Sequence, residues 1–293
     1  MQSLNDVIKL LKAKTYGNSI LAFCPNHDNT KTPALSISYD NNTDKLLVYC
    51  HAGCNSVDVL KAINAKGLNI DYKQSGNSYN TNQNGSNKEQ YINKILSEVK
   101  PIKGTIAEHY LKNERCISCE IPETITFHPS LKHSYTQSYY PAMVAIIRET
   151  NSDKVIAIHR TYLTKDGKKA NIDNNKMIFG NFNGGCVIIN QKSDKTKSLI
   201  VAEGIETALS LKMLYPNEMV VSTLSSSGMK NLILPHKPSK LIIGIDNDEA
   251  GMVAGELLGS RAIAEGWEVN IAAPNLGNDW NDTIKAHHHG GII

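Results

Sequence analysis

Asp246 and Asp248 stand two residues apart at the end of the apolar run Leu241-Ile242-Ile243-Gly244-Ile245, and Gly251 opens a helical pattern just beyond them. Residues i and i+2 of an extended chain project to the same side, so these carboxylates can share one hard divalent cation if the strand persists that far. A second unit of similar design lies upstream. There Leu199-Ile200-Val201-Ala202 delivers Glu203 and Gly204, and Ile205 to Lys212 has helical periodicity. Glu203 therefore sits at the carboxyl end of a buried strand, where open α/β sheets bind their ligands. A third acidic cluster, Asp279-Trp280-Asn281-Asp282, follows the strand-like Glu268-Val269-Asn270-Ile271-Ala272-Ala273. Singly, such residues cap helices or solvate turns; together they suit a metal held against phosphate.

A different chemistry is written near the amino terminus. Cys24-Pro25-Asn26-His27 and Cys50-His51-Ala52-Gly53-Cys54 each supply a ligand pair, separated by an apparent hairpin that includes residues 35–38 and 45–49. Three thiolates and one imidazole on two turns fit a closed tetrahedral structural zinc site. His51 competes as a ligand, but its place between two cysteines favours Cys24, His27, Cys50 and Cys54. Beyond it, Ser56 is placed to cap a short helix carrying Val57, Leu60 and Ile63, ending at Gly67.

The order Glu-Gly, then Asp-x-Asp-x-x-Gly, then a terminal acidic loop resembles the Toprim domain of primases, topoisomerases and some nucleases, over about residues 197–285. The resemblance implies a compact, mostly parallel sheet with helices on both faces. It also implies Glu203 as acid/base carboxylate and Asp246 and Asp248 as magnesium ligands, with Asp282 as a looser match that would join through the metal or a water. The Cys-Pro-x-His start and Lys31-Thr32-Pro33-Ala34-Leu35 resemble the CHC2 zinc domain of primases. Here the second pair is Cys-x-x-x-Cys, the form of primase-like proteins of phages, plasmids and integrated elements, where cellular primases usually show Cys-x-x-Cys.

Between these signatures, residues 73–90 read KQSGNSYNTNQNGSNKEQ, with little to bury, and predict a flexible linker. Residues 91–195 predict a mixed α+β segment: helices at Tyr91 to Val99 and around Thr105 to Leu111, then strands at Tyr140 to Ile147 and Lys154 to Leu163 about a Thr150-Asn151-Ser152-Asp153 turn. The succession of Arg160, a Gly-Lys-Lys turn and Lys176-x-x-x-Gly180 resembles the subdomain preceding Toprim in primase cores. By that resemblance Arg160, Lys169 and Lys176 would face nucleotide or template across the cleft from the acids. The predicted architecture is a multi-domain α/β chain: a zinc ribbon over 1–72, a linker over 73–90, a mixed subdomain over 91–195 and a Rossmann-like parallel sheet over 196–293.

Composition sets the outer bounds. The net charge of +3 over 293 residues permits nucleic-acid binding without establishing it. Six cysteines, most accounted for by motif, point to a reducing, cytoplasmic compartment. Leu4, Val7, Ile8, Leu10 and Leu11 form an amphipathic pattern rather than a leader, and no long apolar span predicts a membrane segment. Cys116 and Cys119 read as ordinary thiols, and His287-His288-His289 as a disordered tail. No Gly-x-x-x-x-Gly-Lys loop is present, so a helicase would act in trans.

The expected activity is a primase making short RNA primers on single-stranded DNA from nucleoside triphosphates, with structural Zn2+ and catalytic Mg2+ or Mn2+. A Toprim nuclease and a non-catalytic zinc-ribbon protein binding single-stranded DNA are the alternatives.

Overall fold

The computed structural model describes residues 4–16, 19–27, 33–40, 45–50, 54–68, 70, 81–191, 193 and 197–290. Two units divide the chain: Met1–Tyr79 with His133–Ser138, and Asn80–Lys132 with Tyr139–Ile293. Among the described residues no helix is long and apolar enough to cross a membrane.

In the first unit, α1 (Leu4–Leu10) precedes a four-stranded antiparallel sheet of β1 (Lys14–Tyr16), β2 (Ser19–Ala22), β3 (Leu35–Asp40) and β4 (Lys45–Cys50), and α2 (Ser56–Asn64) follows. Alternation explains the ribbon's two faces. Ile37 pairs with Val48, and both are buried with Leu35, Val59 and Ile63, while Leu47 and Tyr49 point outward. Asn55, not Ser56, caps α2, accepting from the Val57 amide at 2.8 Å. The Ser56 hydroxyl instead donates to the Val48 carbonyl and ties the helix to the sheet.

The second unit begins with α3 (Thr81–Glu98). Residues 73–80 of the predicted linker lie outside the described residues, and the rest of that segment, 81–90, is helical. Its Asn- and Gly-rich start has little to bury, but it runs continuously into the turns carrying buried Ile92 and Ile95, whose packing supplies what propensity lacks. Next come β5 (Lys100–Pro101), then α4 (Ile106–His109), capped by Thr105 and continued by a π-helical turn, Tyr110–Glu114. A meander follows: β6 (Ile125–Lys132), β7 (Tyr139–Glu149), β8 (Val155–Tyr162) and β9 (Lys176–Gly180), then β10 (Gly185–Asn190).

The remaining chain alternates strand and helix: β11 (Ser198–Ala202), α5 (Ile205–Leu214), β12 (Met219–Ser222), α6 (Ser226–Asn231), β13 (Lys240–Gly244), α7 (Glu249–Ala264), β14 (Glu268–Ala272) and α8 (Trp280–Gly290). β14, β13, β11 and β12 lie side by side and parallel, and β10 joins them antiparallel to β7 and the meander. β11 is covered on both faces, which is why it reads as a continuous apolar run with every residue buried, whereas the edge strand β14 is largely exposed. Residues 287–289 belong to α8 rather than to a disordered tail, because that helix is anchored upstream by buried Asn281 and Ile284.

Candidate functional site

Cys24, His27, Cys50 and Cys54 converge at one end of the ribbon, with their ligand atoms all within 4.8 Å of one another. His27 Nδ1 lies 3.1 Å from Cys54 Sγ and 3.8 Å from Cys50 Sγ. Tetrahedral zinc with Zn–S near 2.3 Å spaces its ligands roughly 3.7 Å apart, so the quartet fits that ion. Burial, reinforced by Cys50 and Cys54, pushes the Cys24 thiol up to about 12, and burial raises Cys54 as well. Crowded thiols of this kind are costly to ionise without a cation and bind one as thiolates. The competing His51, and Lys31-Thr32 of the CHC2-like stretch, lie outside the described residues.

The acidic site forms where strand order reverses. β11 connects through α5 to β12 on one side and its neighbour β13 through α7 to β14 on the other, so the connections of these two strands leave in opposite directions and a crevice opens at their carboxyl ends. Ala202 pairs with Gly244, which brings Glu203 and the turn after β13 to the same level. β13 ends at Gly244, so Asp246 and Asp248 sit beyond it and not on an extended strand. A tight turn unites them instead, with the Asp248 amide donating to the Asp246 carbonyl at 2.8 Å. The bland role is also realised: Asp248 caps α7, its Oδ1 accepting from the Gly251 amide at 2.8 Å. Gly251 has to be small, since a β-carbon there would lie 2.7 Å from the Asp246 carbonyl oxygen.

Burial first, then the charges of Glu203, Asp279 and Asp248, push the Asp246 carboxyl up to about 7. Its Oδ1 is buried and has no hydrogen-bond partner among the described residues. Burial and Asp248 likewise raise Glu203, against an opposing hydrogen bond from the Ser226 amide and the charges of Lys176 and Lys230. Acids pressed together with an unsatisfied inward oxygen are the arrangement a divalent cation relieves. From the last cluster, Asp279 is the residue that acts on Asp246. Asp282, singled out by its motif position, turns its Oδ2 to the Asn278 amide at 3.0 Å and stabilises the loop. Asn247 holds that loop in place, donating to the Pro274 and Gly277 carbonyls.

Beside the acids lies a cationic cluster. Lys176 Nζ is 3.2 Å from Glu206 Oε2, and Lys169 Nζ is 3.8 Å from Glu206 Oε1. The Tyr110 hydroxyl donates to Glu206 Oε1 at 2.7 Å, and Arg115 Nε donates to the Tyr110 oxygen at 3.0 Å. His159 Nδ1 and Thr161 Oγ1 are buried without partners among the described residues, and Thr161 is directly opposite Lys176 in the sheet. Burial and the neighbouring Lys176 hold His159 neutral, down to about 3.

Arg160 is not in this cluster. It pairs with Met177, and strand alternation sends it to the other face, 5.9 Å from the Phe179 ring centre. Arg115 and Tyr110 carried no signal in the sequence that separated them from ordinary helix and turn residues, whereas Asp279 stood in the acidic cluster that the sequence singled out. Cys116 is a buried free thiol and Cys119 packs against the core of this unit; Cys24, His27, Cys50 and Cys54 supply the one group of three or more Cys, His, Asp or Glu ligand atoms drawn within 4.8 Å of one another among the described residues.

Residues 198–289 match the Toprim domain family, and residues 86–189 match a domain of unknown function, DUF7146. No curated protein matches the chain. Among solved structures, the zinc-binding and RNA polymerase domains of the Aquifex aeolicus primase are 14% identical with a TM-score of 0.41, covering 100% of this chain and 84% of that one. The primase fragment of the bacteriophage T7 primase-helicase protein is 12% identical with a TM-score of 0.38, covering 92% and 96%. The DnaG catalytic core is 16% identical with a TM-score of 0.45, covering 68% and 74%.

Proposed function

We propose, for a chain that joins a CHC2-type zinc site to a Toprim domain, the activity of a DNA primase: metal-dependent synthesis of short RNA primers on single-stranded DNA. The observation that carries this reading is that Lys176 acts on both Glu203 and Asp246 and shares Glu206 with Lys169, so a cationic pair adjoins the acids. Phosphoryl transfer needs both sets, one to hold metal and one to meet phosphate, without mutual neutralisation.

Glu203, Asp246 and Asp248 would hold magnesium or manganese, with Asp279 behind Asp246. Divalent cations held there would supply charge neutralisation at the phosphoryl group and would make an attacking 3′-hydroxyl more acidic. Glu203, whose carboxyl is raised by burial, is suited to take the hydroxyl proton. Lys169 and Lys176 would bind the triphosphate, and Arg115 stands behind them through Tyr110. The zinc ribbon, with Tyr49 and Phe23 exposed, would hold template through backbone contacts and base stacking. A helicase would be supplied by another chain, in a reducing cytoplasm.

Incubating the full chain with labelled ribonucleotides, magnesium and single-stranded templates, then sizing the products, tests the reading. New short oligomers support it. Shortened template would replace it with a nuclease, and unchanged DNA with a mobility shift would leave a binding protein.

A further inference from the structure

Glu206 is a buried carboxylate that the mechanism above does not use. Only 8% of its side chain is exposed, yet three cations gather around it: Lys169, Lys176 and, through Tyr110, Arg115. It stands in the first turn of α5, whose amino-terminal amides favour negative charge. Burial works against its ionisation, but Lys176, Lys169 and the Tyr110 hydroxyl hold the carboxyl well below the ordinary range. Both oxygens are thereby engaged, so Glu206 faces the lysines and not the metal carboxylates.

The arrangement has a surplus of positive charge, three cations against one carboxylate. The anchor is itself well held. Ser210 bonds the Glu206 carbonyl, and Asn281 bonds both Ser210 and the Arg115 carbonyl, so α5, α8 and the segment after the π-turn are linked at this point. Lys169 needs a counter-charge more than an exposed lysine would. Burial first, then Lys176 and Arg115, bring it down to about 8, with Glu206 opposing that fall. The other titratable group on the neighbouring strand, His159, is neutral and offers no compensation.

We propose that Glu206 is a positioning residue for polyphosphate binding: anchored by Tyr110, its carboxylate holds Lys169 and Lys176 aimed as one clamp while touching neither metal nor phosphate. This rests on the reading of the two lysines as phosphate ligands. Glu206→Gln keeps an acceptor for Tyr110 but removes the counter-charge, so Lys169 sheds its proton at lower pH and the clamp weakens near neutrality. Lysine loses charge readily when buried, whereas arginine does not.

The test is the affinity of the full chain for inorganic tripolyphosphate, without divalent metal, from pH 6 to pH 9. Glu206→Gln should bind about tenfold more weakly at pH 8 and approach wild type at pH 6, because the lost counter-charge matters only where Lys169 titrates. Adding Lys169→Arg to that variant should restore binding at pH 8. Glu206→Asp should keep the wild-type pH profile with weaker binding, and it serves if the Gln variant fails to fold. Wild-type affinity and profile in Glu206→Gln, or no rescue by Lys169→Arg, would overturn the role of Glu206 alone. Tripolyphosphate binding unaffected by Lys169→Ala and Lys176→Ala would instead remove the phosphate reading beneath it.

Discussion

Glu203 and Asp246 come from neighbouring parallel strands and meet because Ala202 is in register with Gly244, and the charge of Glu203 helps push the Asp246 carboxyl up to about 7. The folded chain therefore holds a repelling pair where a cation would be welcome.

Asp246→Asn should reduce primer synthesis to background while sparing the fold. The stability of the metal-free protein gives a second readout. A carboxyl raised from 3.8 to about 7 keeps its proton in the folded state after the unfolded chain has released it, so folding weakens as pH rises between those values. Removing the titrating group should flatten this loss, seen as a smaller drop in Tm between pH 4 and pH 7. A drop as large as wild type would show that Asp246 is not the group under strain.

Asp248 caps α7 and is proposed to hold metal as well, and two substitutions separate these roles. Asn caps helices about as well as Asp, so Asp248→Asn should abolish synthesis at near wild-type stability, whereas Asp248→Ala should cost about 1 kcal/mol in addition. Denaturant unfolding beside a primer assay reads both. Full activity in Asp248→Asn would leave this residue a cap only.

Glu203→Gln should remove turnover and leave template and nucleotide bound, because the amide can still accept from Ser226 but takes no proton. Gly204 is the cap of α5, so slight destabilisation with normal turnover, the outcome for a merely structural residue, is not expected. Turnover and template affinity on one preparation decide it.

Arg160 should be dispensable for nucleotide binding, since it points at Phe179 on the far face of the sheet. Arg160→Met should leave the nucleotide KM within about twofold, while Lys169→Ala raises it about tenfold, a loss of roughly 1.4 kcal/mol. Equal effects would return Arg160 to the cleft.

One tightly held zinc per chain is expected, lost in Cys54→Ser. Chelation should unfold the ribbon, whose small core needs the metal, while the Toprim domain retains its helical signal. Metal analysis together with circular dichroism reads both effects, and zinc retained by Cys54→Ser would break the quartet assignment.

What the sequence by itself determined was local. Apolar runs ending in acids located β11 and β13 with Glu203, Asp246 and Asp248, and two short turns of Cys and His located the quartet, because each pattern is set by residues a few positions apart. Where the reading depended on a side chain's direction or on a distant partner, tertiary structure decided. Arg160 and His159 are adjacent in sequence, yet alternation puts them on opposite faces, and a run buried on both sides gives no sign of which is which. Asp279 and Asp282 were separated by how one loop is pinned to Asn247. Glu206 meets Tyr110 across 96 positions, and Asn281 meets Arg115 across 166. Contacts so remote leave no periodicity to read, since they exist only once the sheet has ordered its strands.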